Sequence, residues 1–191
     1  MILASSNKHK VEELRQILDR EDLTPLPGEV EMPPEDGDTF ADNALIKARA
    51  VRVQTGSVVI ADDSGIEVDV LDGRPGVRSA RFAGQGASDQ DNLDKVLDEV
   101  AQAGGESAAR YVCVIAYIDD AGSEHLFEGV CGGQMIAGKK GDGGFGYDPS
   151  FVPDETGSGD RRTMAELSPV EKHEISHRGK AARKLSRFLL A

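Results

Sequence analysis

The chain has 191 residues, and 34 acidic against 22 basic side chains give it a formal net charge of −12 at pH 7. This charge opposes attraction to nucleic acid and to anionic membrane surfaces, and no apolar run approaches the roughly 20 residues that span a bilayer. We therefore expect a single domain over residues 1–191, with neither nucleic acid nor a membrane as partner.

The predicted elements alternate between strand and helix from the start of the chain, as in an α/β fold. A strand is predicted over residues 1–4, followed by a helix over residues 8–20 whose apolar positions share one face. After an acidic, proline-rich connection over residues 24–38, a second helix begins near Thr39, with Asp42 at the spacing of a capping pair.

The second half of the chain continues the mixed pattern. A helix is predicted from about residue 89 to residue 103, and the next two strands, 109–118 and 125–131, should form an antiparallel hairpin. Ser168 is an N-cap followed by proline and, two residues later, by glutamate, which is a strong helix start. A last helix is predicted over residues 179–190.

Cysteine usage and charge distribution narrow the class of protein. Cys113 and Cys131 both lie in apolar segments, so no disulfide framework is indicated, and the N-terminus has no signal-peptide pattern. We therefore expect a cytoplasmic protein. Residues 161–191 carry eight Lys or Arg against three Glu, which suits a small anionic ligand as well as a solvated basic helix.

The most informative motif is the acidic stretch Ala61–Gly65, which contains Asp62, Asp63 and Ser64 and follows the apolar run Val58–Ile60. We predict a buried strand that ends here in a turn at Gly65, with a second strand over the residues that follow. Because neighbouring residues of an extended chain point to opposite sides, the two aspartates should have different roles. A plain surface turn is the alternative.

Four further segments have side chains suited to ligand binding. In one of them, the acidic linker Glu29–Asp38, a carboxylate could reach a metal, or the segment could be a solvated, disordered connection. Residues 5–10 place Ser, Asn, Lys and His at a helix start, where they could cradle an anion or only cap the helix. Residues 138–149 form a glycine-rich stretch in which Phe145 could stack on a ligand, or a mobile loop. His177 and Arg178, preceded by Lys172, could donate hydrogen bonds to an oxo group or a phosphate, or serve as surface charge.

Read in order, these motifs resemble the inosine triphosphate pyrophosphatase family, whose members hydrolyse nonstandard purine nucleoside triphosphates. The resemblance runs nearly end to end and rests on six ordered segments, which are Ser5–Lys10 with Glu13, Thr39–Ala48, Ala61–Gly65, Gly73–Arg81, Gly143–Pro149 and Ala165–Gly179. It implies an elongated α/β fold of two lobes, with a long central mixed β-sheet flanked by helices, a substrate cleft between the lobes, and a homodimer.

The resemblance also implies roles for individual residues. Asp63 is expected to be the general base and a Mg²⁺ ligand, Glu35 a second ligand, and Glu13 and Asp62 supporting residues. The expected substrate contacts are Ser5, Ser6, Asn7, Lys8, His9, Lys10, Ser64, Phe145, Gly146, Tyr147, Asp148, Lys172, His177 and Arg178. Mg²⁺ suits a triphosphate in an acidic protein, because it takes carboxylate oxygens together with phosphate oxygens and water.

The implied reaction is hydrolysis of ITP, dITP or XTP to the monophosphate and pyrophosphate. Donors such as His177 and Arg178 would favour a 6-oxo purine over adenine, while the rejection of guanine is left unexplained. A Maf-type nucleotide pyrophosphatase and a non-catalytic nucleotide sensor are the alternatives. Two departures from the family pattern are Ser5-Ser6 in place of Thr-Gly and Asp42 in place of Glu.

Overall fold

A computed structural model describes residues 1–20, 22–157 and 159–190 and has a mixed α/β architecture. Its strands are β1 (Ile2–Leu3), β2 (Thr24–Pro25), β3 (Val59–Val68), β4 (Ser107–Ile118), β5 (Glu124–Met135) and β6 (Phe151–Pro153). Its α-helices are α1 (Lys8–Leu18), α2 (Phe40–Thr55), α3 (Asp89–Gln102), α4 (Pro169–Ile175) and α5 (His177–Leu189). Among the described residues, no helix is both long and apolar enough to cross a membrane.

All six strands belong to one sheet, in the order β2-β1-β3-β4-β5-β6. Strand β1 runs parallel to both of its neighbours, β2 and β3, while β5 and β6 are antiparallel, so the sheet is mixed as predicted. Strands β4 and β5 are neighbours joined by the short connection at residues 119–123, as expected of the predicted hairpin.

The helix starts follow the capping residues of the sequence. The side chain of Asn7 accepts from two backbone N–H groups of α1, and Thr39 accepts from the N–H of Asp42 at the start of α2. Ser88 and Ser168 each form a complete capping box with the acidic residue three positions later. These local signals explain why helix positions were predictable to within about two residues at most ends.

Strand β3 corrects the prediction for the acidic motif. It runs without interruption from Val59 to Val68, so the turn predicted at Gly65 and the separate strand after it are both wrong. Nearly every residue of this strand is buried. The sheet therefore overrides the local turn signal, and both aspartates lie inside a strand rather than at its end. The short strand β2 was also missed, because two residues that include a proline give no periodic pattern.

The described chain divides into two compact units. The first contains Met1–Asp63, Cys113–Gly129 and Arg178–Ala191, and the second contains Ser64–Val112 and Val130–His177. Each has its own apolar core, with Leu3, Leu14, Ile60, Ile115 and Leu185 in the first and Ile66, Leu93, Val96, Met135 and Phe151 in the second. The expected two-lobed shape, the cleft and the single domain stay predictions.

Candidate active site

The first unit contains a cluster of three carboxylates and three cations, which we call the carboxylate site and define as Glu35, Asp62, Asp63, Lys10, Lys47 and Arg178. Asp62 and Arg178 are its most enclosed members, each with 1% of its surface exposed. Asp62 Oδ2 lies 3.3 Å from Lys10 Nζ and 3.3 Å from Arg178 Nη2. Arg178 is itself buried and donates through Nη1 to Glu13 Oε2 at 2.5 Å, so its guanidinium links two carboxylates.

Asp63 has different partners, as its position on the other side of strand β3 requires. Asn43 Nδ2 donates to Asp63 Oδ2 at 3.1 Å, and Lys47 Nζ lies 3.6 Å from Asp63 Oδ1. The same ammonium lies 2.8 Å from Glu35 Oε1. Lys47 therefore connects Glu35 with Asp63, and helix α2, which carries Asn43 and Lys47, positions both partners.

The two aspartates have opposite pKa shifts. Burial alone would raise the pKa of Asp62, but the charges of Lys10, Arg178 and Lys47 lower it below its ordinary value. Burial raises the pKa of Asp63, against the opposing effects of Lys47 and Lys10, and the negative charge of Glu35 adds to the rise. Asp62 is thus a fixed anion, while Asp63 has the raised proton affinity of an acid–base group.

The carboxylates of this site also shift the pKa values of Lys47 and Cys113. Burial would lower the pKa of Lys47, yet Asp63, Asp62 and Glu35 raise it, so the ammonium stays charged. The Cys113 thiol lies 4.0 Å from Asp62 Oδ2. Burial, reinforced by that carboxylate, raises the pKa of Cys113 to about 12.

The donors of the carboxylate site fit a hard divalent cation. Among the described residues, no three His, Cys, Asp or Glu side chains form a ready-made metal cage. Mg²⁺ does not need one, because it is usually held by one or two carboxylates with water and phosphate oxygens. Glu35 Oε1 and Asp63 Oδ1 lie 2.8 and 3.6 Å from the Lys47 ammonium, so two carboxylate oxygens already converge on one cation.

The predicted anion cradle at residues 5–10 is a capped helix start. Asn7 Oδ1 accepts from the N–H groups of His9 and Lys10 at 3.0 and 3.2 Å, and Ser5 Oγ accepts from the N–H of Asn7. Ser6, Asn7, Lys8 and His9 are exposed, and Ser5 is half-buried. Three of the amides expected to meet an anion, those of Asn7, His9 and Lys10, are therefore already bonded, while the exposed side chains remain accessible.

The second unit contains a second cluster, which we call the aromatic site and define as Tyr111, Phe145, Asp148, Lys172 and His177. Its centre is the buried carboxylate of Asp148. Tyr111 Oη donates to Asp148 Oδ1 at 3.1 Å, while Lys172 Nζ and the Phe145 N–H donate to Oδ2 at 2.8 and 2.9 Å. The ammonium of Lys172 also lies 4.9 Å from the centre of the Phe145 ring.

His177 completes the aromatic site through its ring. The imidazole is buried and lies parallel to the ring of Tyr111, with centroids 4.6 Å apart and an interplanar angle of 5°. Tyr111 in turn meets Phe151 edge to face at 4.8 Å. Sequence reasoning missed Tyr111, because a tyrosine inside an apolar strand carries no motif that distinguishes it from a core residue.

The glycine-rich loop closes tightly around Asp148. Gly144 has a φ of +70°, and a Cβ there would clash with Asp148 Oδ2, so the close approach requires glycine. The N–H of Gly146 donates to Asp89 Oδ2 at 3.2 Å. Tyr147 is buried and donates through Oη to the carbonyl of Ser79, so its side chain anchors the loop.

The structure does not group all predicted residues as expected. His177 and Arg178 were predicted to act as adjacent donors, but the Arg178 side chain bonds Asp62 and Glu13 in the first unit, while His177 stacks on Tyr111 in the second. Lys10, predicted as a phosphate contact, pairs with Asp62. Ser64 is half-buried in strand β3. Asn43 and Lys47 were missed as site residues, although they lie within the Thr39–Ala48 segment that carried the resemblance.

The cluster in the first unit has hard oxygen donors and cations suited to a phosphate and its metal, and the cluster in the second unit has a stackable ring with hydrogen-bond donors suited to a planar ring. The chain belongs to the Ham1 family, whose model matches residues 1–188. The resemblance found in the sequence is thereby confirmed.

Relatives match over nearly their whole length. The dITP/XTP pyrophosphatase of Corynebacterium diphtheriae is 46% identical over 194 residues, which cover 97% of this chain and 94% of that protein. The dITP/XTP pyrophosphatase of Bacillus anthracis is 43% identical over 195 residues, with 97% and 93% covered.

The comparison with solved structures agrees with the comparison of sequences. A HAM1 protein from Coxiella burnetii has a TM-score of 0.87 at 38% identity and covers 99% of this chain and 97% of its own. A nucleoside-triphosphatase, or dITP/XTP pyrophosphatase, from Mycobacterium abscessus has a TM-score of 0.76 at 40% identity, with 98% and 97% covered. The mixed α/β fold is therefore shared with relatives across their full length.

Proposed function

We propose that this protein hydrolyses nonstandard purine nucleoside triphosphates, namely ITP, dITP and XTP, to the nucleoside monophosphate and pyrophosphate. The observation that carries the proposal is the environment of Asp63, a buried carboxylate of raised pKa beside Lys47 and Glu35. Full-length likeness to proteins named dITP/XTP pyrophosphatases supports the choice of substrates. No observation favours the Maf-type or sensor alternatives.

Glu35 and Asp63 would hold Mg²⁺, with the remaining ligands supplied by water and substrate phosphates. When bound, the metal withdraws negative charge from the phosphates and makes the phosphorus more electrophilic. Asp63 orients a water molecule and accepts its proton as the water oxygen attacks the α-phosphorus. The bond from that phosphorus to the bridging oxygen breaks, and pyrophosphate leaves with the electron pair.

Side chains at the start of α1 bind the rest of the phosphate chain. Ser5, Ser6, Asn7, Lys8 and His9 are accessible at the start of α1 and bind phosphate oxygens in this proposal. Lys10 and Arg178 act indirectly, because both pair with Asp62 and keep it ionised. Asp62 and Glu13 thus serve as supporting residues, as the resemblance implied.

The aromatic site binds the base. The purine stacks on Phe145, and Lys172 and His177 donate hydrogen bonds to its oxo groups, with Gly146, Tyr147 and Asp148 shaping the loop. Asp148 already accepts from Tyr111, Lys172 and Phe145, so its capacity to accept from a purine amino group is largely used. This disfavours adenine and also gives a reason for rejecting the 2-amino group of guanine.

Steady-state hydrolysis of ITP, dITP, XTP, GTP and ATP with Mg²⁺ tests the function. We expect kcat/KM for the first three to exceed that for ATP by at least about a hundredfold, with monophosphate and pyrophosphate as products. Absence of pyrophosphate from all three would refute the proposal, and release of orthophosphate instead would refute the site of cleavage. Omitting the divalent metal should abolish turnover.

We also propose that the protein is a homodimer and that it is located in the cytoplasm. A homodimer would give a mass in solution of about twice the 20.4 kDa of one chain, which light scattering measures directly. A monomer at micromolar concentration would contradict it. The cytoplasm is the compartment that we propose, because it contains the nucleoside triphosphate pool.

A further inference from the structure

Tyr111 is the one member of the aromatic site that no sequence motif selected, and it contacts two other members. Its hydroxyl donates to Asp148 Oδ1 at 3.1 Å, and its ring lies parallel to His177 with centroids 4.6 Å apart. Its own position is fixed, because only 6% of its surface is exposed and it packs edge to face on Phe151. A side chain on strand β4 therefore contacts both the loop and the first residue of α5.

Each contact constrains a group that faces the base in the proposed function. The stack fixes the plane of the His177 imidazole and hence the direction in which its ring N–H donates. The hydroxyl occupies Asp148 Oδ1, so the ammonium of Lys172 and the N–H of Phe145 meet at Oδ2. Removal of the hydroxyl would free this carboxylate to rotate and take Lys172 with it.

We propose that Tyr111 is a positioning residue for base recognition, which aligns His177 through its ring and Asp148 with Lys172 through its hydroxyl. It acts through these neighbours and does not touch the substrate. The assignment rests on the proposed function for its kinetic consequences, while the alignment of His177 is a property of the protein alone. A rigid strand is suited to this task, because a site built on sheet residues is held more precisely than one built on loops.

Two variants separate the two contacts. Tyr111→Phe keeps the ring and removes the hydrogen bond to Asp148, whereas Tyr111→Leu removes the stack as well. Tyr117→Phe is the matched control, because Tyr117 also lies on β4 near a histidine, His125, but in the first unit. Its ring belongs to a cluster with His125 and Phe188 and is not among the residues assigned to the base.

For Tyr111→Phe we expect KM for ITP and XTP to rise about tenfold, since a hydrogen bond to a charged group is lost, while kcat changes less than about twofold. Tyr111→Leu should raise KM about thirtyfold, because the ring contact is lost in addition. Neither change should affect ATP as strongly, so the preference for ITP over ATP falls. Tyr117→Phe should leave all these values unchanged.

A structural role alone would give a different result. If Tyr111 only stabilised the core, kcat/KM would fall by the same factor for ITP and ATP, in parallel with the melting temperature. That outcome, or wild-type KM values in both variants, would overturn the proposal.

NMR of histidine-labelled protein tests the alignment without catalysis. The His177 ring resonances, assigned with His177→Gln, should keep their positions in Tyr111→Phe and move downfield in Tyr111→Leu, because the stacked ring no longer shields them. Unchanged resonances in Tyr111→Leu would overturn the alignment. If the wild-type protein hydrolysed no ITP, the proposed function would fail, and this measurement would still decide the position of His177.

Discussion

The carboxylate site of the first unit and the aromatic site of the second unit fix their side chains by different means. In the first, Asp62 and Asp63 are held by Lys10, Lys47 and Arg178 at 3.3 to 3.6 Å. In the second, the Lys172–Asp148 ion pair is surrounded by ring contacts and neutral donors. The first site should therefore respond to charge, pH and metal, and the second to shape and hydrogen bonding.

The largest effect is expected from Asp63→Asn, which should lower kcat about a thousandfold by removing the general base. Stability should not fall at pH 7. Because the folded pKa of Asp63 is raised, its contribution to stability is present below the ordinary value of 3.8 and is lost as pH rises through the folded pKa. Steady-state kinetics and thermal unfolding of metal-free protein measure both effects.

The matched control for this variant is Asp120→Asn, at an exposed position of the first unit, which should change neither quantity. Turnover of Asp63→Asn within tenfold of wild type would contradict the assignment of the base. A large loss of stability at pH 7 would contradict the raised pKa of Asp63.

Asp62→Asn, the substitution at the neighbouring aspartate, should mainly lower stability, whereas Asp63→Asn mainly lowers kcat. Asp62→Asn leaves Lys10 and Arg178 without their shared anion, and breaking a buried pair costs about 3–5 kcal/mol of the free energy of unfolding. Since the pKa of Asp62 is lowered, its contribution is present above the ordinary value of 3.8 and is lost as pH falls through the folded pKa.

Denaturant titrations of wild type and Asp62→Asn at several pH values measure this contribution. The difference in stability should be full at pH 7 and should shrink below about pH 4. A difference that stays constant down to pH 2, or no difference at pH 7, would show that Asp62 does not carry the charge balance of the carboxylate site.

Lys172→Met tests the aromatic site with a smaller effect. The chain stem is kept while the ammonium is lost from Asp148, which should weaken binding of ITP by about 2 kcal/mol. We expect this loss in KM and little change in kcat, the reverse of Asp63→Asn. A fall in kcat with unchanged KM would contradict the assignment of catalysis to the carboxylate site and of base binding to the aromatic site.

The smallest effect is expected from Ser168→Ala, which removes the N-cap of the helix that carries Lys172. The capping box of Ser168 and Glu171 is lost, at a cost of about 1 kcal/mol in the free energy of unfolding. Chemical denaturation measures this change directly. Equal stability of variant and wild type would mean that α4 does not need its cap.

Features that depend only on neighbouring residues, such as helix caps, could be predicted from the sequence. Thr39 and Ser168 cap helices where the capping patterns placed them. The continuous strand β3 was not predictable, because Asp-Asp-Ser-Gly is ordinary turn chemistry and only pairing within the sheet keeps it extended.

Contacts between distant parts of the chain were also beyond the sequence. The Arg178 guanidinium meets Glu13, which lies near the other end of the chain, and Tyr111 stacks on His177, which is also distant in the sequence. No spacing rule links such positions, since three-dimensional packing alone brings them together.

The two buried cysteines can report how often the two apolar cores open. Cys113 belongs to the core of the first unit and Cys131 to that of the second, and among the described residues both are thiols outside any disulfide. A thiol reacts as the thiolate, so with the pKa of Cys113 raised to about 12 this residue is inert while its surroundings stay closed. Rates of alkylation at each cysteine would therefore measure, residue by residue and without any engineered residue, how often each core opens to water.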